Sequence, residues 1–254
     1  MSKKIIIANW KMNPLTERDA EKLYGGIAKE VSKIKETGIV ICPPFIYLEK
    51  LKKINKKIVL GAQDAFWGEV GAFTGEVSSE MIANIGVKYV ILGHSERRAF
   101  GESNEIINKK LKAAISSGLS PILCIGENDR DESHEYFNFI KNQLLACING
   151  VSKNLLYKII IAYEPVWAIS TTLNRRDATP ADAKEMSIFI RKIISDKLGT
   201  GMKMPKIVYG GSVNNKDAGE FIEHGGVDGL LVGRASLDVK KFTDIVKICE
   251  ALNK

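Results

Sequence analysis

The stretch "KIIIAYEPVWAISTTLNRRDATPAD", residues 158–182, decides the fold. Residues 159 to 163 form an unbroken apolar, largely β-branched run, the pattern of a strand buried on both faces. Glu164 stands directly after that run and is followed by Pro165. A polar connection leads to Thr179-Pro180-Ala181-Asp182, which places an N-cap threonine before an N1 proline, with an acid at N3. Strand, connection and capped helix make one βα unit, with an acid at the strand's C-terminal end.

The same unit recurs along the chain. The strand-like runs are "KKIIIA" (3–8), "GIVICP" (38–43), "KIVLGA" (57–62), "KYVILG" (88–93), "SPILCI" (120–125), "KIIIAY" (158–163), "KIVYGG" (206–211) and "GLLVGR" (229–234). Between them the apolar period changes to three and four. Ala20, Leu23, Tyr24, Ile27, Val31 and Ile34 share one helical face. Met186, Phe189, Ile190, Ile193, Ile194 and Leu198 share another, and Phe242, Ile245, Val246 and Cys249 a third. Asn214, with Asp217 three residues on, marks a further helix start. Eight βα units in 254 residues predict one closed (β/α)8 barrel domain, an α/β fold with eight parallel strands inside outer helices. An open doubly wound sheet is the alternative, but its glycine-rich first turn is missing: the first strand runs into "NWKMNP".

Composition narrows the class. Hydrophobic residues are 45% and charged residues 26%, ordinary for a globular domain with a substantial core. No apolar run approaches the roughly 20 residues of a membrane span, and the apolar stretch in "MSKKIIIANWK" is far too short for a signal peptide. A cytoplasmic location is expected. The net charge of +7 is spread over helical lysines such as Lys35, Lys50, Lys52, Lys53, Lys56 and Lys57, which read as a solvated face rather than a nucleic-acid patch. A mild positive field would steer a small anionic substrate. Cys42, Cys124, Cys147 and Cys249 are too dispersed for a metal or CxxC motif, as are His94, His134 and His224, so reduced cysteines and no metal are expected.

In such a barrel the chemistry sits where strands end. Asn9 and Lys11 follow the first run, His94, Ser95, Glu96, Arg97 and Arg98 the fourth, and Glu164 the sixth. A lysine, a histidine and a glutamate would converge on the barrel mouth. Small residues after the seventh and eighth runs, Gly210-Gly211-Ser212 and Gly233 with Arg234, lie where barrels cradle phosphate on backbone N–H groups. The set suggests proton abstraction next to the carbonyl of a phosphorylated substrate, with no nicotinamide or metal site. A Schiff-base aldolase using Lys11 is the competing chemistry, although a lysine beside a phosphate anion tends to stay protonated.

Six segments in chain order, "ANWKMN" (8–13), "GAFTGEVS" (71–78), "ILGHSERR" (91–98), "PILCIGE" (121–127), "AYEPVWAI" (162–169) and "YGGSV" (209–213), resemble the triosephosphate isomerase family. The resemblance spans almost the whole chain. It implies cofactor-free interconversion of dihydroxyacetone phosphate and D-glyceraldehyde 3-phosphate, in glycolysis and gluconeogenesis. By that resemblance Glu164 is the proton-shuttling base, and His94, at a helix N-terminus, is the neutral electrophile at the carbonyl oxygen. Lys11 stabilises negative charge, Asn9 positions substrate and lysine, and Glu96 is an acid near the site. Ser170, Ser212, Gly233 and Arg234 fall where the family binds phosphate. Pro165, Val166, Trp167, Ile169, Thr171 and Thr172 belong to a lid that Tyr209 and Ser212 latch. Thr74 would cross the interface of a homodimer beside Lys11 and Asn9.

The chain departs from the family pattern at the lid and at one phosphate residue. "AISTTLNRRDATP" (168–180) spends three residues more than the usual "AIGTGKTATP", with Ser170 and Thr172 in place of glycines. Three extra residues cost only about 0.2 kcal/mol of loop closure. Arg175 and Arg176 read as solvated residues of this surface. Arg234 replaces a second glycine, its side chain read as pointing away from the phosphate. A non-catalytic phosphometabolite-binding relative, its altered lid no longer closing, is the alternative function.

Overall fold

The computed structural model describes residues 3–55, 58–169, 176–199 and 201–253. Eight parallel strands close into a barrel in sequence order, β1 pairing with both β2 and β8. They are β1 Ile5–Asn9, β2 Gly38–Cys42, β3 Val59–Ala62, β4 Tyr89–Leu92, β5 Ser120–Ile125, β6 Ile160–Tyr163, β7 Lys206–Tyr209 and β8 Gly229–Val232. The outer helices are α1 Glu17–Glu30, α2 Phe45–Ile54, α3 Ser79–Asn84, α4 Ser95–Ala99, α5 Asn104–Ser116, α6 Glu135–Cys147, α7 Pro180–Leu198, α8 Ala218–His224 and α9 Val239–Leu252. The expected barrel is thus observed, each strand within two residues of its predicted run. Among the described residues no helix is long and apolar enough to cross a membrane.

The unbroken apolar runs follow from burial on both faces. Ile5, Ile7, Val40, Ile91, Ile122, Cys124, Ile160, Ala162, Val208 and Leu231 fill the barrel interior. The residues between them, such as Ile6, Ala8, Ile41, Leu92, Leu123, Ile161 and Ile207, pack outward against the helices. Every strand position therefore gains about 1.5–3 kcal/mol per large side chain, and no polar alternation survives.

Helix boundaries obey local chemistry. At α7 the Thr179 hydroxyl accepts from the Asp182 N–H and the Asp182 carboxylate accepts from the Thr179 N–H, a complete capping box. The predicted start at Asn214 is displaced. Asn214 and Asp217 close a turn through their side chains, with the Asn214 N–H donating to Asp217 Oδ1 at 2.8 Å, and α8 begins only at Ala218. All four cysteines are free and buried.

Candidate active site

The two-residue period of the strands aims the site. Ile5 and Ile7 face the interior, and Asn9 continues that face to the mouth; Ile160 and Ala162 deliver Glu164 in the same way. The corresponding positions after Val208 and Leu231 are Gly210 and Gly233, which leave the mouth open. One cleft is lined by Asn9, Lys11, His94, Glu164, Ser212 and Gly233. Arg234 and Ile169 also line it.

Glu164 is only 2% exposed. Its Oε1 lies 3.6 Å from Nε2 of His94, while its buried Oε2 has no hydrogen-bond partner among the described residues. The Cys124 thiol sits beside this carboxylate. Burial first, then the Glu164 charge, raises that thiol well above its ordinary range, so it stays protonated and inert.

His94 is the N-cap of α4, and its Nδ1 accepts the Glu96 N–H at 3.2 Å. An accepting Nδ1 carries a lone pair, which puts the ring proton on Nε2 and aims an N–H donor into the cleft. Just before it, Gly93 has φ +70, and a β-carbon there would approach both Arg98 Nη2 and Ile107 Cδ1 to 3.0 Å. Arg98 ties this corner down, donating from Nε to the Gly93 carbonyl at 2.7 Å and from Nη2 to the Cys124 carbonyl at 3.0 Å.

Lys11 adopts a positive φ of 53°, a conformation that costs a non-glycine residue about 1–2 kcal/mol. Its N–H donates to Asn9 Oδ1 at 3.0 Å, and its ammonium pairs with Glu96 Oε1 at 2.5 Å. Gln63 donates to the carbonyls of Lys11 at 2.8 Å and Cys42 at 2.9 Å, fixing the turn from below. Lys11 is thus engaged as a cation and is not poised as an amine nucleophile.

The predicted residues Asn9, Lys11, His94, Glu96 and Glu164 are brought together, and Ser212, Gly233 and Arg234 line the same cleft as Lys11 and Glu164. Pro165, Val166, Trp167 and Ile169 leave the mouth directly after Glu164, and Trp167 is buried. Tyr209 is buried in the outer layer, stacked on Phe221 with centroids 4.3 Å apart. Ser170, Thr171, Thr172 and Arg175 lie outside the described residues. Thr74 lies in an exposed turn of the β3–α3 connection. Arg176 is exposed, as expected of a surface residue, and its guanidinium also lies 4.3 Å from the Trp167 ring centroid. Sequence reasoning missed Glu127, whose Oε1 accepts from Tyr163 OH at 2.8 Å and Trp167 Nε1 at 2.9 Å. The available signals were its place two residues past β5 and its position at the end of "PILCIGE" (121–127).

Fold and site together define a (β/α)8-barrel enzyme for acid–base chemistry on a small anionic substrate. A family model described as triosephosphate isomerase matches residues 4–249. The triosephosphate isomerase of Aquifex aeolicus (strain VF5) is 44% identical over 96% of this chain and 98% of its own length. That of Dictyoglomus thermophilum (strain ATCC 35947 / DSM 3960 / H-6-12) is 44% identical over 97% and 100%, and that of Alkaliphilus oremlandii (strain OhILAs) 42% identical over 97% and 99%. The chain belongs to the triosephosphate isomerase family. Its function is that of an isomerase, and nothing in these comparisons favours a non-catalytic relative.

Proposed function

We propose that this isomerase interconverts dihydroxyacetone phosphate and D-glyceraldehyde 3-phosphate through an enediolate, without a cofactor, and that Glu164, His94, Lys11 and Asn9 carry the reaction. The observation that carries the assignment is the buried Glu164 carboxylate, whose Oε1 lies 3.6 Å from His94 Nε2, the ring nitrogen left to donate into the cleft. Glu164 takes the proton from the carbon next to the carbonyl. The C–H electron pair becomes the new C=C bond, and the carbonyl π pair moves onto oxygen. The His94 Nε2–H and the Lys11 ammonium stabilise that oxygen, donors already in place before charge develops. Glu164 then returns its proton to the neighbouring carbon while the hydroxyl proton passes between the two oxygens.

Asn9 fixes the Lys11 backbone, and Glu96 holds the lysine until substrate arrives. The phosphate is received by the amides of Ser212, Gly233 and Arg234, with Ser170 reaching it from the segment after Ile169. Pro165, Val166, Trp167, Ile169, Thr171 and Thr172 form the covering lid, and Tyr209 latches it. A homodimer is supported by the apolar side chains Met12, Leu15 and Ile46, 93%, 94% and 76% exposed, near the mouth residue Lys11. Thr74 of one chain would then reach Lys11 and Asn9 of the other. Four free cysteines support a reducing, cytoplasmic setting.

The test is isomerisation in deuterium oxide followed by NMR. Deuterium appearing at the carbon adjacent to the carbonyl supports proton abstraction by a carboxylate that exchanges with solvent. Deuterium incorporation at the wild-type rate in Glu164→Gln would overturn the assignment of the base.

A further inference from the structure

One amide assigned above to the phosphate is engaged by the chain itself. The Ser212 N–H donates to the Ala168 carbonyl at 3.3 Å. Ala168 adjoins Trp167, which is 6% exposed and gripped on several sides. The indole Nε1–H donates to Glu127 Oε1 at 2.9 Å, and the Arg130 guanidinium lies 5.5 Å from the ring centroid. Arg130 is itself anchored by Asp182 and Glu185, both at 2.9 Å. A further contact is Arg176, 4.3 Å from the ring centroid, with its own N–H donating to the Trp167 carbonyl at 3.2 Å.

We infer that Arg176 is a positioning residue: by stacking on Trp167 it holds the Ala168 carbonyl on the Ser212 amide, so a phosphate dianion must displace that carbonyl to bind. This rests on the isomerase reading of the site. A ligand whose competent state is only partly populated binds more weakly by that fraction, and the stack lowers the fraction. A cation–π contact at an exposed position corresponds to about a two- to fivefold change in an equilibrium. The sign is distinctive. Arg176 is a cation, so its long-range field alone would make its removal weaken phosphate binding; release of the stack makes removal tighten it.

The test compares wild type, R176A and R176K. Inorganic phosphate binding is read by calorimetry, which needs no turnover, and KM for glyceraldehyde 3-phosphate is read alongside. The expected result is a phosphate Kd and a KM both about two- to fivefold lower in R176A. R176K, which keeps the charge but loses the planar stack, should move the same way. A phosphate Kd unchanged or raised in R176A overturns the inference, whatever the activity. A wild type that binds phosphate yet turns over no triose phosphate overturns the isomerase reading and leaves the phosphate result to be judged on its own sign.

Discussion

Gly210 stands where a β-carbon would lie 2.7 Å from Cγ of Glu164 and 3.2 Å from its Oε1. The glycine after β7 is therefore required by the carboxylate after β6, through contact across neighbouring strands. Gly210→Ala should displace Glu164 toward or past the mouth. Misplacement of a reacting group by about 1 Å costs on the order of 10²-fold in rate. The variant should lose about that much kcat while its melting temperature stays close to wild type. Steady-state kinetics beside a thermal melt checks both.

Gln63 reaches two carbonyls at once, those of Lys11 and Cys42. Gln63→Leu leaves both without this donor while keeping the side chain's bulk. It should destabilise the fold by about 1–3 kcal/mol and raise KM, because the turn that carries Lys11 loosens. Urea denaturation and KM for either triose phosphate are the measurements.

Behind the site, Lys110 is 2% exposed and pairs with Asp64 at 2.8 Å and with Glu102, and Arg97 bridges the same two acids at 2.9 and 2.6 Å. Lys110→Met removes the most buried cation of the cluster. The expected loss is about 3–5 kcal/mol, read as a shift of the denaturation midpoint.

The same cluster sets a pH response. Burial raises the Glu102 carboxyl, but the bonds from Lys110 and Arg97 outweigh it and leave the group below its usual value. A depressed folded pKa gives stability that is complete above the unfolded value of about 4.3 and is lost as pH falls through the folded one. Asp64 has the opposite sign, because burial dominates there and raises it. Its contribution is present below the unfolded value and is lost as pH rises through the folded one. Melting temperature against pH should therefore fall less below about pH 4.3 in Glu102→Gln than in wild type.

The barrel was legible because a strand buried on both faces has no polar alternation, and eight such runs carry that mark in the chain. Asn9, Lys11, His94 and Glu164 were legible because each follows a strand end directly. Other features depend on contacts between distant segments. Gln63 faces Lys11 across 52 positions and Glu127 faces Trp167 across 40, and local pattern encodes neither. The contact of the exposed Arg176 with Trp167 was hidden for the same reason, since the two lie on opposite sides of the connection. The helix start at Asn214 failed because the Asn–Asp pair that caps helices also closes turns.

The interface assignment has its own consequence. If the proposed homodimer forms with Thr74 at its interface, Thr74→Arg should give a monomer in sedimentation equilibrium and lower kcat with it. An unchanged dimer would remove Thr74 from the interface.

The most direct measurement is kcat of Glu164→Gln against wild type in a coupled assay with glyceraldehyde 3-phosphate. General-base catalysis contributes about 10²–10⁴-fold. The kcat should be lower by that factor, with KM within a few-fold and an unchanged melting temperature. A Glu164→Gln enzyme turning over within tenfold of wild type would contradict the placement of the base.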